Sequence, residues 1–315
     1  MSLAAGGAVA LAAALDRMLA EPPARMHPVV WLGRVVSAVD DRLPDARMTG
    51  VVLAAAVPIG FGVAISAPIL LVGERSVLAA AVLAGIALFV CSSHRMLIEE
   101  AAAVVSLSET DLSSARTRLR SLAGRDAAGL TPARIRSAAV ESAAENLADG
   151  LIAPYLAFAG GAVLAAVLGS STHVSLALGA AAAGWVKGVN TLDSMLGYRD
   201  RAAGWAPARL DDVVMWAPAR MAALLLALAG GPARAPDVLG RASGAANGPS
   251  SPNSGWPMAT VASVGRIRLE KPNAYTLFPE HSLPTTADAT ASVRLVSRAG
   301  WIGTAGAALM VVALA

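Results

Sequence analysis

The chain has 315 residues, of which 56% are hydrophobic and only 15% are charged. A soluble globular domain carries about 25% charged residues, and the mean hydropathy of +0.59 is also apolar, which excludes a disordered chain and disfavours a water-soluble enzyme. The net charge is +3 without a basic tract, so no nucleic-acid partner is expected. The single cysteine, Cys91, excludes an internal disulfide and a multi-cysteine metal site. The composition therefore predicts an integral membrane protein.

The apolar segments predict an all-α, polytopic membrane protein that forms a single domain over residues 1–315, because about 20 apolar residues are needed for each span. In chain order, the predicted spans lie near 3–20, 51–72, 77–93, 151–169, 174–189, 213–229 and 300–315. Glu74 and Arg75 mark a tight turn, and residues 169–173 form a polar break, so each flanking pair of spans is predicted as a helical hairpin. Since the last two spans are weaker, we expect about five to seven transmembrane helices.

The long polar segments between the spans are predicted to be loops on the cytoplasmic side of a bacterial inner membrane. Segment 94–149 contains seven arginines, and the positive-inside rule counts Lys and Arg while largely ignoring acids. The hairpin arrangement places 21–49 and 187–212 on the same side as this segment. The active face is therefore expected to be cytoplasmic.

The densest polar cluster, directly before the fourth span, contains Glu141, Glu145, Asn146 and Asp149. The three acids are spaced i, i+4, i+8, so on an α-helix their carboxylates share one face and repel one another. Near a membrane surface, desolvation adds to this repulsion. A divalent cation or an arginine would relieve it; the alternative is a helix end solvated by water.

A second cluster follows the fifth span. Asn190 and Asp193, spaced i, i+3, share a helix face, and Gly197 suits a helix end. Oxygen ligands of this kind fit Mg²⁺, which takes one or two carboxylates together with substrate phosphates. The alternative interpretation is a helix cap followed by a turn.

The third cluster contains Arg209, Asp211 and Asp212 and leads to Arg220 in an apolar stretch. Paired aspartates are typical of prenyl transferases that hold pyrophosphate through Mg²⁺, although no DDxxD motif is present. An arginine inside a span indicates function by default. Its partner is predicted to be either a substrate phosphate or one of the two aspartates.

Two loops complete the set of candidate sites. The first, residues 21–28, is bounded by prolines and contains His27. The second, residues 247–257, contains Ser251 and Asn253 and is rich in turn-forming residues. Backbone amides in such a loop can form an anion-binding nest, although most loops of this composition are simply turns.

Taken in order, these motifs resemble the adenosylcobinamide-phosphate synthase family of cobalamin biosynthesis (CobD/CbiB). The family pattern appears here as His27-Pro28-Val29, Glu141 to Pro154, Asn190 to Tyr198, Ala208 to Asp212 with Pro218 to Arg220, and Ser251 to Pro257. The combination of ESxAENxxDG with NTLDSMxGY is highly specific, and the match covers residues 10 to 275. The chain departs from the pattern at Ala20-Glu21-Pro22, where the family usually has GDP, at Gly248 and Met258, where it has His and Glu, and at Glu270-Lys271-Pro272-Asn273, where it has GGPN.

The resemblance implies a ligase that joins adenosylcobyric acid to (R)-1-aminopropan-2-ol or its O-phosphate through an amide bond. It implies ATP as co-substrate with Mg²⁺, since a carboxylate and an ammonium group do not condense readily in water. It also implies membrane lipid and other corrinoid-pathway proteins as partners. The implied catalytic residues are Glu141, Glu145, Asn146, Asp149, Asn190 and Asp193. The implied substrate- and phosphate-binding residues are His27, Arg199, Arg209, Arg220, Ser251 and Asn253. The implied metal ligands are Asp149, Asp193, Asp211 and Asp212.

Two other classes of function compete with this ligase. A transporter would use Glu145, Asp149 and Asp193 as an ion path, with acids near mid-membrane and an inverted repeat. The acids instead cluster at span ends and the sequence shows no repeat, which disfavours transport. A non-catalytic membrane sensor of the same superfamily would not need the acid, Asn and Arg sets together.

Overall fold

The computed structural model describes residues 2–123, 127–198 and 200–314. Its helices are α1 (Ser2–Leu19), α2 (Pro28–Asp40), α3 (Arg47–Gly73), α4 (Val77–Cys91), α5 (Arg95–Thr110), α6 (Leu112–Ala123), α7 (Pro132–Leu147), α8 (Ala153–Val167), α9 (Thr172–Leu196), α10 (Trp205–Val214), α11 (Trp216–Ala229), α12 (Ala235–Ala245), α13 (Gly255–Gly265) and α14 (Thr286–Leu314). A π-helical segment, Ala148–Ile152, joins α7 to α8, and short 3-10 helices cover Ala24–Met26 and Pro232–Arg234. Strands β1 (Leu269–Lys271) and β2 (Tyr275–Leu277) form an antiparallel hairpin that the sequence did not predict.

The helical membrane fold is confirmed. Among the residues that the structure describes, five helical segments are long and apolar enough to span a membrane: Ser2–Leu19, Arg47–Gly73, Val77–Thr110, Pro132–Val167 and Thr286–Leu314. Helices α10 and α11 give a sixth candidate if they form one span with a bend of 45°. These spans fall within the predicted range. The predicted span 174–189 lies inside α9, which is not one of these five segments because His173 and Lys187 lower its mean hydropathy. The predicted span 300–315 is the C-terminal half of the longer α14.

The chain divides into two compact units. Unit 1 comprises Met1–Ser93, Asp149–Met215 and Thr304–Ala315, and unit 2 comprises His94–Ala148 and Trp216–Gly303. In unit 1, α9 is the central helix and packs against α3, α8, α4, α2 and α10, while α1 packs against α4. Helices α8 and α9 approach so closely that a Cβ at Gly161 would lie 2.9 Å from the Leu178 carbonyl oxygen. Small residues that let backbones touch are typical of membrane helix packing.

In unit 2, α7 packs against α5, α6, α13 and the β-hairpin, and α11 packs against α12 and α13. Helix α7 begins where Thr131 accepts a hydrogen bond from the Arg134 N–H (3.4 Å) and Pro132 occupies the first turn. The sequence predicted polar loops over 94–149, but the described part of this segment forms α5, α6 and α7. Much of α7 is buried because its small residues, such as Ala138, Ala139 and Ala143, pack closely.

Candidate active site

One cluster of predicted site residues lies in unit 1 at the C-terminal end of α9. The helix ends at Leu196, and Gly197 leaves room for the side chain of Asp193, because a Cβ at Gly197 would collide with Asp193 Oδ1. Burial, and then the negative charge of Asp212, raise the pKa of the Asp193 carboxyl to about 6. Asn190 lies one turn earlier on α9 and is half-buried. Two mutually repelling carboxylates therefore lie near this helix end, where a cation would stabilise both.

Helix α10 supplies the residues beside this carboxylate pair. Arg209 Nη1 lies 3.5 Å from Asp212 Oδ2, one turn along the same helix. The Arg209 side chain is 70% exposed, which leaves its guanidinium accessible to a ligand. Asp211 and Asp212 are both half-buried. The structure thus brings the second and third sequence clusters together through Asp193 and Asp212.

His27 has a structural role that the sequence did not predict. Its Nδ1 accepts a hydrogen bond from the Val29 N–H (3.3 Å), and Pro28 occupies the first position of α2. Burial lowers the pKa of His27 below its ordinary value, Glu21 opposes this shift to a smaller extent, and Lys187 adds to it. Since Nδ1 accepts, the proton of the neutral ring lies on Nε2, which is 3.9 Å from Glu21 Oε2.

The chain that follows Asp193 is fixed by an ion pair that sequence reasoning missed. Arg201 donates through Nη1 and Nη2 to both carboxylate oxygens of Asp40, at 2.8 and 2.7 Å. The Asp45 carboxylate accepts from the backbone N–H groups of Ala202 (3.2 Å) and Ala203 (2.8 Å). These contacts attach the segment between α9 and α10 to the last residue of α2 and to the segment that follows it. Arg199, a predicted phosphate-binding residue, lies outside the described residues.

Of the acids of the first sequence motif, Glu141 and Glu145 keep the predicted i, i+4 spacing within α7, whereas Asp149 lies beyond the end of that helix. Glu141 is completely buried, whereas Glu145 and Asp149 are half-buried. Helix α7 ends at Leu147, and the π-helical segment that follows changes the spacing, so Asp149 does not continue the α-helical i, i+4 series. Asn146 donates through Nδ2 to the Ser142 carbonyl oxygen (3.0 Å). Short π segments often occur at functional sites.

In unit 2, Glu141 accepts two hydrogen bonds from side chains. Ser137 Oγ donates to Oε1 and the Tyr275 hydroxyl donates to Oε2, both at 2.7 Å. Tyr275 belongs to β2, far from Glu141 in sequence, and no motif pointed to it. The carboxylate predicted to be catalytic therefore lies in the interior and connects α7 to the β-hairpin.

Arg220 has a partner that the sequence did not suggest. Its Nη1 donates to Asn253 Oδ1 (2.7 Å), and its Nη2 donates to the Pro252 carbonyl oxygen (3.2 Å). The guanidinium also lies 4.7 Å from the ring centroid of Trp216 and 5.1 Å from that of Trp256, which is cation–π geometry. The loop before α13 and the two indole rings are therefore the contacts of Arg220 within unit 2.

The loop before α13 uses its polar groups mainly to hold its own shape. Ser251 Oγ accepts from the backbone N–H groups of Asn253 (3.2 Å) and Ser254 (3.4 Å). Asn253 is buried, and its carbonyl oxygen accepts from the Trp256 N–H (3.0 Å). These contacts match the turn interpretation of the loop. Ser251, Asn253 and Arg220 are therefore brought together in unit 2.

A closed metal site made of protein groups alone is not present in the part of the chain that the structure describes, where no three His, Cys, Asp or Glu side chains are placed to hold an ion. Asp149, Asp193, Asp211 and Asp212 therefore do not form a four-carboxylate cage. Mg²⁺ commonly takes one or two carboxylates and completes its shell with water and phosphate oxygens. The coupled pair Asp193 and Asp212 fits that donor set.

Comparison with known proteins gives a consistent family relationship. The family model described as CobD/Cbib protein matches residues 9–300. The chain is 33% identical to the probable cobalamin biosynthesis protein CobD of Methanothrix thermoacetophila, over 96% of both chains. It is 37% identical to CobD of Klebsiella pneumoniae (83% of this chain, 81% of the relative). It is 35% identical to CbiB of Salmonella choleraesuis, with the same coverage. No solved structure matches the chain.

Proposed function

Because the chain belongs to the CobD/CbiB family and acts in cobalamin biosynthesis, we propose that it is a multi-pass membrane ligase that makes an amide bond. The bond joins adenosylcobyric acid to (R)-1-aminopropan-2-ol or its O-phosphate and gives adenosylcobinamide or adenosylcobinamide phosphate. Family membership supports a corrinoid substrate, and the apolar helices support a location in the membrane.

The observation that carries the proposal is the pair of coupled carboxylates at the end of α9. Ionised Asp193 is disfavoured by its burial and by Asp212, so this place favours a cation. Arg209, exposed beside Asp212, is able to bind phosphate oxygens. Mg²⁺, when bound to ATP, neutralises phosphate charge, and ATP supplies the activation that a carboxylate needs before it reacts with an amine. Asp193, Asp212 and Arg209 would hold and orient the Mg-phosphate.

The decisive experiment is mass spectrometry of the product made by the purified full chain. The reaction contains adenosylcobyric acid, Mg-ATP and either free or phosphorylated amino alcohol. We expect an amide product with one of the amines and ATP consumption that requires both corrinoid and amine. Asp193→Asn should lose most turnover, and the exposed Asp200→Asn serves as its matched control. Absence of amide product with both amines would reject the ligase.

We also propose that the site faces the cytoplasm, as the arginine content of 94–149 supports. Cys91 is the only cysteine and is buried, so single engineered cysteines can be labelled selectively. Cysteines at the exposed positions Glu74 and Ser171 should react with an impermeant reagent from outside the cell. Cysteines at the exposed positions Thr117 and Ala202 should react only after the membrane is opened. Equal labelling of all four in intact cells would contradict this orientation.

A further inference from the structure

The β-hairpin and the first turn of α7, both in unit 2, border a cavity that none of the family motifs includes. Its volume is about 420 Å³, and it is lined by Arg134 of α7 and by hairpin residues 270–276. Ligand sites usually have volumes of about 300 to 1,000 Å³. We call this cavity the hairpin pocket. Four of its lining residues, Glu270 to Asn273, form the stretch in which the chain departs from the family's usual GGPN pattern.

Positive charge exceeds negative charge around the hairpin pocket. Glu270 is the acid of this group, and its Oε1 accepts from Arg134 Nε at 2.7 Å. Arg268 Nε lies 3.4 Å from Glu270 Oε2, and Lys271 is the next residue and is exposed. Two arginines therefore flank the Glu270 carboxylate, and Lys271, which lines the pocket, adds a third positive charge, so the excess of positive charge favours an anionic ligand. The Arg134 side chain keeps 41% of its surface exposed, compared with 13% for Glu270, so the cation is the more accessible partner.

The turn of the hairpin gives Lys271 a defined position. Pro272 occupies the second position of the turn, and Asn273 has φ of +61° at the third. The Ala274 N–H donates to the Lys271 carbonyl oxygen (3.0 Å). These are the features of a type II turn, in which proline fixes the backbone and asparagine tolerates the left-handed conformation. The pocket wall is therefore preorganised.

A buried hydrogen-bond network attaches both strands of the hairpin to α7. The Glu270 N–H donates to Ser137 Oγ (2.9 Å), and Ser137 donates to Glu141. Tyr275, which pairs with Lys271 across the hairpin, donates to the other oxygen of the same carboxylate. Ser137 and Glu141 are both completely buried. Burying a carboxylate costs free energy unless the group accepts hydrogen bonds. Glu141 accepts them from Ser137 and Tyr275, so it stabilises the position in which the hairpin packs against α7.

We propose that the hairpin pocket binds a phosphate group through Arg134 and Lys271, and that Glu141 is a positioning residue that holds the pocket in place through Ser137 and Tyr275. The guanidinium and ammonium groups match the charge of phosphate oxygens. The proposal rests on the proposed function, in which phosphate can come from ATP or from the phosphorylated amino alcohol.

Titration calorimetry on the full chain in detergent tests the pocket without turnover. The probes are inorganic phosphate, ATP and the phosphorylated amino alcohol. Lys271→Gln should weaken binding of the probe that uses the pocket at least about tenfold. Arg266→Gln removes one charge from an exposed side chain outside the pocket and should stay within about twofold. The probe that loses affinity identifies the source of the phosphate. Unchanged binding of all three probes by Lys271→Gln, or an equal loss in Arg266→Gln, would overturn the proposal.

Tyr275→Phe tests the positioning role of Glu141, because it removes one hydrogen bond to that carboxylate and keeps the ring. We expect a higher KM for the phosphorylated ligand with little change in kcat. A fall in kcat without any change in KM would contradict the positioning role of Glu141. Phosphate binding that depends on Lys271 in a chain that forms no amide product would keep the pocket and reject the ligase. Amide formation by the unmodified chain, together with unchanged phosphate binding by Lys271→Gln, would support the ligase and reject the pocket.

Discussion

Replacement of Asp193 by asparagine is expected to stabilise the protein at neutral pH. The carboxyl is half-buried at the end of α9, and burial together with the charge of Asp212 raises its pKa from 3.8 to about 6. In the unfolded chain the group has its ordinary pKa. The folded protein therefore binds this proton more tightly, and the ionised form of Asp193 opposes folding. Asparagine keeps the size of the side chain and removes the charge.

The expected magnitude follows from the pKa shift. A shift of about two pKa units corresponds to about 3 kcal/mol, and partial solvation of Asp193 reduces this to about 1–2 kcal/mol. Because the pKa is raised, the stability of the unmodified protein falls as pH increases from about 4 to about 6 and is then constant with respect to this group. The difference between variant and unmodified protein should vanish below about pH 4.

Thermal unfolding in detergent at about pH 4 and about pH 7.5 measures this difference. We expect Asp193→Asn to raise the Tm by about 2–4 °C at the higher pH, and the exposed control Asp200→Asn to leave it unchanged. Added Mg²⁺ should raise the Tm of the unmodified protein more than that of Asp193→Asn. A variant that melts below the unmodified protein at neutral pH, or that differs from it equally at both pH values, would refute the reasoning.

Three further predictions concern packing and polar contacts, and each is read from denaturation curves. Gly161→Ala should destabilise the protein by about 1–3 kcal/mol, because the added Cβ would press on a carbonyl oxygen of α9. The control Gly160→Ala places its Cβ in open space and should not destabilise the protein, so equal effects of the two variants would contradict the close helix contact. A double-mutant cycle of Arg201→Met with Asp40→Asn should give a favourable coupling energy, because the two side chains form a bidentate pair, and zero coupling would contradict that pair. Arg220→Lys should cost about 1–3 kcal/mol, since lysine lacks the planar fork; unchanged stability would argue against its hydrogen bonds.

The membrane-spanning helices were predictable because each depends mainly on local composition. In hydrocarbon every backbone N–H and C=O must be bonded within the segment, so a long apolar run has few alternatives to a helix. The uncharged run after residue 50 became α3, and the turn at Glu74 and Arg75 became the break before α4. The burial of α7 and the hairpin near residue 270 were not predictable, since small and polar residues there are compatible with several structures.

The candidate site was predictable as separate groups of residues. The sequence identified Asp193 and Asp212 because carboxylates beside an apolar span need compensation. It gave no means of deciding that the charge of Asp212 acts on Asp193, since that depends on how α10 packs against α9. It also gave no sign that His27, a predicted ligand-binding residue, caps α2 through its Nδ1.

The sequence by itself determined a helical membrane protein and the residue types available for phosphate and cation binding. Only the tertiary structure decided which of these groups meet. Tyr275 reaches Glu141 across 134 residues, and Arg201 reaches Asp40 across 161. Apolar periodicity and local motifs act over a few turns of helix, whereas contacts at such separations depend on how whole elements pack. The contact of Glu141 with Tyr275 and that of Arg220 with Trp256 are therefore properties of the packing, because no short stretch of chain contains both partners.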